Sequence, residues 1–212
     1  MWSSPVSAAA SFISRDNSAA GIRASASRSR PLSNDAARQN ASGSNPLSAT
    51  SGADVRVLEL GRLAFDPVLK FGYRRRMEWE DDLAGAQEAI RWAEHLVFVY
   101  PNWWGTMPAL LKGFIDRVFL PGFAFRYRER GKLWDKLLKG RSARLIVTMD
   151  TPPLINRWMY GHAGHKVMKR NILQFCGIRP VRVTEIGPVR GSTEQRRSAW
   201  LDKAERFGER RA

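Results

Sequence analysis

The chain reads as an α/β protein built on a doubly wound, mostly parallel sheet. Two observations lead there. One is the continuous apolar run "HLVFVY" (His95–Tyr100), expected for a strand covered on both faces. The other is a regular alternation, from Asp54 onward, of strand-like and helix-like segments, the pattern of βαβ units. "DVRVLEL" alternates apolar with polar and predicts a strand over Val55–Leu60. "DDLAGAQEAIRWAEH" opens with acids that suit a helix N-terminus and spaces Leu83, Ala86, Ile90 and Ala93 along one face. After "HLVFVY" comes a second helix, with Thr106 as its expected N-cap and Pro108 tolerated in its first turn. Its Leu110, Leu111, Phe114, Ile115 and Val118 form one face, and Lys112 pairs with Asp116 on another. "ARLIVTM" then predicts a strand, "GHKVMKRNILQFCG" a helix ending at Gly177, and "VRVTEI" a strand. A last amphipathic helix runs from Thr193 to Phe207.

The 212 residues suffice for one well-buried domain. Two regions are expected: residues 1–52, low in complexity and without stable structure, and a folded domain over 53–212. The first region is rich in Ser, Ala, Asn and Arg, and only "SFI" (Ser11–Ile13) resembles a strand. Such a composition buries too little apolar surface to offset the entropy of ordering. Its Arg and Ser enrichment is also the pattern of a targeting peptide, though Asp16 and Asp35 interrupt any long amphipathic helix.

A formal net charge of +15 is compatible with nucleic acid, anionic membrane or acidic ligands. The basic residues are dispersed, however, with small clusters at Arg74–Arg76 and near the C-terminus, and no zinc spacing or RNA-binding motif accompanies them. The expectation is solvated surface and attraction for anionic cofactors, with no nucleic-acid partner and no membrane span. The single cysteine, Cys176, excludes an intrachain disulfide and suits a reducing, cytoplasmic setting. On its helix face beside Leu173 it reads as a small core residue.

The most informative loop is "PNWWGT" (Pro101–Thr106), directly after the buried strand and before a helix. In open α/β sheets ligands bind beyond the carboxyl ends of the strands, where strand order reverses. Pro101 fixes the chain's exit, and Trp103 and Trp104 offer flat aromatic surface to a heteroaromatic ring. Gly105 allows backbone N–H groups to approach such a ring and stabilise charge developing on it. The competing reading is that both tryptophans only cap the core. His162 and His165, three residues apart, point weakly to a metal because no third ligand presents itself, so no metal site is expected.

The stretch "YPNWWGTMPALLKGFIDRVFLPGFAFRY" resembles the signature of the NAD(P)H:quinone oxidoreductase family. That group is flavodoxin-like and also contains modulators of drug activity and ancillary proteins of potassium efflux systems. The resemblance spans about Ala53 to Ile186 and the last helix. It implies a flavodoxin-like fold, a bound FAD or FMN, and a homodimer with sites near the subunit interface. It also implies hydride transfer from NAD(P)H through the flavin to a quinone. By it, Pro101, Asn102, Trp103, Trp104, Gly105 and Thr106 line the flavin ring, and Phe125, Arg126 and Tyr127 face nicotinamide or quinone. In "TMDTPPLINRWMYGHAGH", Tyr160 and His165 correspond to residues that steady charge on the reduced flavin, with His162 competing for the second role.

The resemblance breaks at the N-terminus. Relatives open with an apolar strand and a His-Pro-x-x-x-Ser loop for the flavin phosphates, and neither precedes Val55 here. In the strand order 2-1-3-4-5 the first strand is central, so its loss would leave buried backbone unpaired. Either an altered segment has replaced the first strand and phosphate loop, or the tail supplies an unconventional strand. The leading expectation is a flavin-dependent NAD(P)H dehydrogenase (quinone). Two alternatives remain: a regulatory subunit in peripheral contact with a cation-efflux transporter, and a degenerate flavodoxin-like protein with impaired flavin binding.

Overall fold

The structure is a computed structural model that describes residues 10–16, 53–130 and 133–209. In chain order the elements are β1 (Ala10–Asp16), β2 (Ala53–Glu59), a 3-10 turn (Leu60–Arg62), α1 (Asp81–Trp92), β3 (His95–Pro101) and α2 (Ala109–Val118). There follow β4 (Phe125–Tyr127), β5 (Trp134–Lys136), β6 (Ser142–Thr148) and α3 (Pro153–Trp158). A longer helix, α4, begins as α (Ala163–Lys166), widens to π (Val167–Leu173) and closes as α (Gln174–Cys176). Gly177, at φ 103°, ends it in the left-handed conformation that a Cβ disfavours. β7 (Val181–Ile186) and α5 (Glu194–Glu209) complete the chain.

The main sheet has the order β2-β1-β3-β6-β7. β3, β6 and β7 are mutually parallel. β1 runs antiparallel to both its neighbours, with Ala10 opposite Glu59 and Val99, and Asp16 opposite Ala53. The "SFI" segment, assigned to the unstructured region, instead lies in a seven-residue strand inside the sheet, between β2 and β3. Backbone pairing explains this, because β2 and β3 would otherwise each expose an unpaired edge to the other. The remainder of 1–52 lies outside the described residues.

The crossovers from β2 to β3, β3 to β6 and β6 to β7 all step the same way across the sheet. Right-handed connections then place α1, α2 and α4 on one face. The core sits there: Leu96, Phe98 and Tyr100 of β3 and Leu145 and Val147 of β6 meet Leu83, Ile90, Leu111, Phe114, Met168 and Leu173. On the opposite face α5 brings the Phe207 ring to 3.8 Å from the Arg144 guanidinium. β3 alternates buried with half-buried residues, so its continuous apolar run does not mean two equally covered faces. Val97 and Val99 lie on the less covered side.

The segment between β2 and α1 is tied to the outside of α2. Arg117, fully buried, donates to both carboxylate oxygens of Glu80 (3.1 and 2.6 Å) and to the carbonyls of Asp66 and Glu78. Burial is the largest single influence on Glu80 and would raise its pKa, yet the hydrogen bonds from Arg117 and from the backbone N–H groups of Asp66 and Glu80, with the Arg117 charge, together hold the carboxyl below its ordinary value. One turn earlier, Gly113 leaves room for Pro67; a Cβ there would come within 2.5 Å of the Pro67 side chain.

Candidate functional site

Pro101 ends β3 at the carboxyl edge of the sheet, and Asn102 N–H donates to the Thr148 carbonyl (2.7 Å) at the end of β6. The chain then makes a two-residue turn. Trp103 N–H donates to the Thr106 carbonyl (2.9 Å) and Thr106 N–H returns to Trp103 (3.0 Å). Trp104 and Gly105 between them sit at φ 52° and 77°. For glycine that costs little, whereas for tryptophan it is a strained conformation held by its surroundings. Thr106 is thus a partner of the turn and not the N-cap of α2, which Pro108 occupies without a side-chain cap.

The turn projects its aromatic surface outward. Trp104 is fully exposed and Trp103 is 51% exposed, and nothing lies within 4 Å of where a Gly105 Cβ would be. The reading in which both tryptophans cap the core does not fit this exposure. Large aromatic faces left in water carry a hydrophobic cost that a planar partner would remove.

What holds the turn from below is the start of α4. A Cβ on Gly164 would come within 2.9 Å of Thr106 Cα and closer still to the Gly105 carbonyl oxygen. Helix and turn are therefore in backbone contact, and the two sequence segments singled out for function meet here. Beside Gly164, His165 is buried, with its Nε2 2.8 Å from Glu185 Oε1 at the end of β7. Asn156 of α3 donates its amide to the same oxygen (2.7 Å) and lies 3.2 Å from His165 Nε2. An Nε2–H given to Glu185 cannot accept from Asn156, so both groups serve as donors to one carboxylate oxygen. His162, at φ 55°, approaches that oxygen to 3.5 Å, but its buried Nε2 has no hydrogen-bond partner. Tyr160 is exposed, one residue before Gly161 in the lead-in to this cluster.

Phe125, Arg126 and Tyr127 lie elsewhere. They form β4, beyond the C-terminal end of α2, which at ten residues is about 15 Å long. Phe125 is buried against Phe175 at the far end of α4 (ring centroids 5.1 Å apart), so it belongs to the core. Arg126 and Tyr127 are exposed. Tyr73, from the segment pinned by Arg117, comes close to this hairpin. Its hydroxyl is shifted upward by burial first, then by the nearby charges of Asp116 and Tyr127. Within one chain, then, the tryptophan turn and the Tyr127 hairpin occupy opposite ends of α2.

Sequence reasoning missed Glu185, Asn156, Gly164 and Tyr73. The two glycines of "YGHAGH" were the one available signal, since closely spaced glycines mark close backbone approach. The cysteine assignment agrees with the structure: Cys176 is buried, and burial pushes its thiol up to about 12. Among the described residues no group of His, Cys, Asp and Glu could hold a metal ion, and no helix is long and apolar enough to cross a membrane.

The residues present fit one part of a flavin. The exposed indoles and the open backbone at Gly105 suit a flat ring. Among the described residues, β1 runs antiparallel to β3 and so leads away from this edge, and none of them forms a turn for the flavin phosphate beside it.

Comparison with known proteins agrees with the architecture. The profile of a family described as having the flavodoxin-like fold matches residues 22–210. An uncharacterized NAD(P)H oxidoreductase of Haemophilus influenzae is 26% identical over 166 residues, covering 74% of this chain and 79% of its own. A human ribosyldihydronicotinamide dehydrogenase [quinone] is 29% identical over 162 residues, 68% of this chain and 67% of its own. The crystal structure of Smu.1420 from Streptococcus mutans superposes with a TM-score of 0.56 at 36% identity, over 69% of this chain and 77% of that one.

Proposed function

Because this chain belongs to the flavodoxin-like family, the group that includes the NAD(P)H:quinone oxidoreductases, we propose that it is an oxidoreductase passing hydride from NAD(P)H to a quinone with the help of a flavin. The observation that carries this reading is the outward-facing Trp103–Trp104–Gly105 turn at the carboxyl edge of β3. A flavin, when bound, supplies a ring that takes up and releases two electrons. The protein's part is to seat that ring. Trp103 and Trp104 give it aromatic surface, and Gly105 lets the backbone N–H groups of the turn donate to it. Gly164 keeps the turn in register from beneath.

In this reading Glu185 is a positioning residue, binding His165 and Asn156 so that the first turn of α4 stays against Gly105. His165 is committed to Glu185, and His162, whose buried Nε2 lies 3.5 Å from the same carboxylate without a hydrogen bond, is the alternative donor toward charge on a reduced ring. Tyr160 flanks them on the solvent side. Arg126 and Tyr127 stand too far along α2 to reach the same chain's tryptophan turn, which supports a homodimer in which a second copy brings its hairpin to the ring. The test is oxidation of NADH or NADPH with a soluble quinone and added flavin. Turnover that requires all three components is the expected result; none with either nicotinamide would overturn the reading.

A further inference from the structure

We infer that the cleft lined by Lys70, Arg74 and Arg75 receives the adenosine 2′-phosphate of NADPH, so that this protein binds NADPH in preference to NADH. The inference rests on the oxidoreductase reading above and narrows its donor. Lys70, Phe71, Gly72, Arg74 and Arg75 line a cleft of about 460 Å³ in the segment between β2 and α1. Cations and an aromatic ring thus share one space. Turns hold them there: Gly72 N–H donates to the Leu69 carbonyl (3.0 Å) and Arg74 N–H to the Phe71 carbonyl (3.3 Å). The Arg75 guanidinium lies 3.8 Å from the centre of the Phe71 ring, which steadies its fork of N–H donors. Gly72 sits at φ 55°, with nothing within 4 Å of where its Cβ would be, so the backbone there is open to a ligand as well.

Charge and position together identify the ligand. A phosphate monoester carries about −1.5 to −2 charge at neutral pH and three acceptor oxygens. Arginines meet such a group with paired N–H donors, and an arginine is what accommodates a 2′-phosphate in dinucleotide sites. Lys70 is shared with Asp66 at 2.7 Å, so Arg74 and Arg75 carry the recognition. The exposed rings of Phe71 and Tyr73 add flat apolar surface for an adenine. Pro67, at the start of this segment, packs on Gly113 of α2, and Tyr73 lies near Asp116 and Tyr127. The cleft therefore stands beside the Tyr127 hairpin. In the reading above that hairpin is brought to the flavin ring, where a nicotinamide has to lie to give up hydride. One dinucleotide then runs along both features, its nicotinamide toward Tyr127 and its phosphorylated adenosine in the cleft.

Titration calorimetry of the full-length protein with NADP+ and NAD+, which differ only in that phosphate, tests this without turnover. The net charge of +15 attracts any anion, so the titrations belong in about 0.15 M potassium chloride, where the screening length is about 8 Å. NADP+ is expected to bind about tenfold or more tightly than NAD+, the least that charge-assisted hydrogen bonds to one phosphate should give. Arg74 and Arg75 are exposed, so the double variant Arg74→Ala/Arg75→Ala keeps the fold. It should bring the two affinities within about threefold of each other. Arg196→Ala/Arg197→Ala removes the same charge from α5 and should leave the preference for NADP+ intact. Equal affinities for NADP+ and NAD+ in the unaltered protein, or binding of neither, overturn the inference. So does an equal loss of preference in both double variants, which would mark a general attraction for anions. Quinone-dependent turnover with NADH as fast as with NADPH would leave the oxidoreductase reading standing while this one falls.

Discussion

A methyl group on Gly164 would press on the Gly105 carbonyl and lie within 2.9 Å of Thr106 Cα, and both neighbours are backbone atoms that cannot rotate away. Gly164→Ala is therefore expected to cost about 1–3 kcal/mol of stability, the usual range for overpacking. It should also displace the tryptophan turn. Chemical unfolding would read the first effect and riboflavin affinity the second; a variant unchanged in both would remove the helix–turn contact from the account. At this scale the sequence was legible where chemistry shows in residue type. Two adjacent tryptophans before a glycine marked a turn that the structure leaves exposed at the sheet's carboxyl edge, and a lone cysteine on a helix face read correctly as core. It was opaque where function depends on a partner distant in sequence. His165 was visible as a histidine, but Glu185, twenty residues on, carried no local sign that its carboxylate would claim that ring. Phe125 likewise looked the same in sequence whether it faced a substrate or Phe175.

Among the elements, the segment from Ala64 to Glu80 has little regular structure and depends on a few side chains to hold its course. Arg117 supplies most of that hold through Glu80 and two carbonyls. Replacing it with methionine leaves those acceptors facing an apolar side chain; because Glu80 is itself partly exposed, the loss is about 1–3 kcal/mol, the cost of leaving part-buried acceptors without a donor. Arg117→Met should show a correspondingly lower unfolding midpoint and faster proteolysis between Val68 and Arg76. Retention of wild-type resistance there would mean that Gly113 and Pro67 suffice as the anchor. Helices and parallel strands were readable because their apolar periods are set by the core they share. β1 was not, because its seven residues include only two large apolar side chains, Phe12 and Ile13. What makes it a strand is the pair of open edges on either side of it.

Over the whole molecule, excess positive charge meets a few groups with no tolerance for more. His95 opens β3 with its Nδ1 2.7 Å from Ser142 Oγ. Burial, first, and then the charges of Arg144 and Arg182 hold its pKa below the ordinary 6.5. A depressed folded-state pKa means that the unfolded chain takes up this proton first. Its penalty is absent above about pH 6.5 and grows as pH falls from there toward the folded value. Stability should decline on acidification through that window, and His95→Gln, which keeps a hydrogen-bonding side chain beside Ser142, should decline less. Parallel curves for the two proteins would assign the acid sensitivity to other groups.

The account turns on whether the tryptophan turn seats a flavin ring, and riboflavin binding to two single variants asks this directly. Trp104→Ala removes the most exposed ring of the turn, whose contacts with a planar ligand are worth about 1–3 kcal/mol. Lys112→Ala removes an exposed pair with Asp116 on the surface of α2, worth a few tenths of a kcal/mol to the helix and nothing to the ring. The expected result is riboflavin affinity reduced about tenfold in Trp104→Ala and unchanged in Lys112→Ala. Equal affinities in both variants and the unaltered protein would show that the ring, wherever it binds, does not bind here.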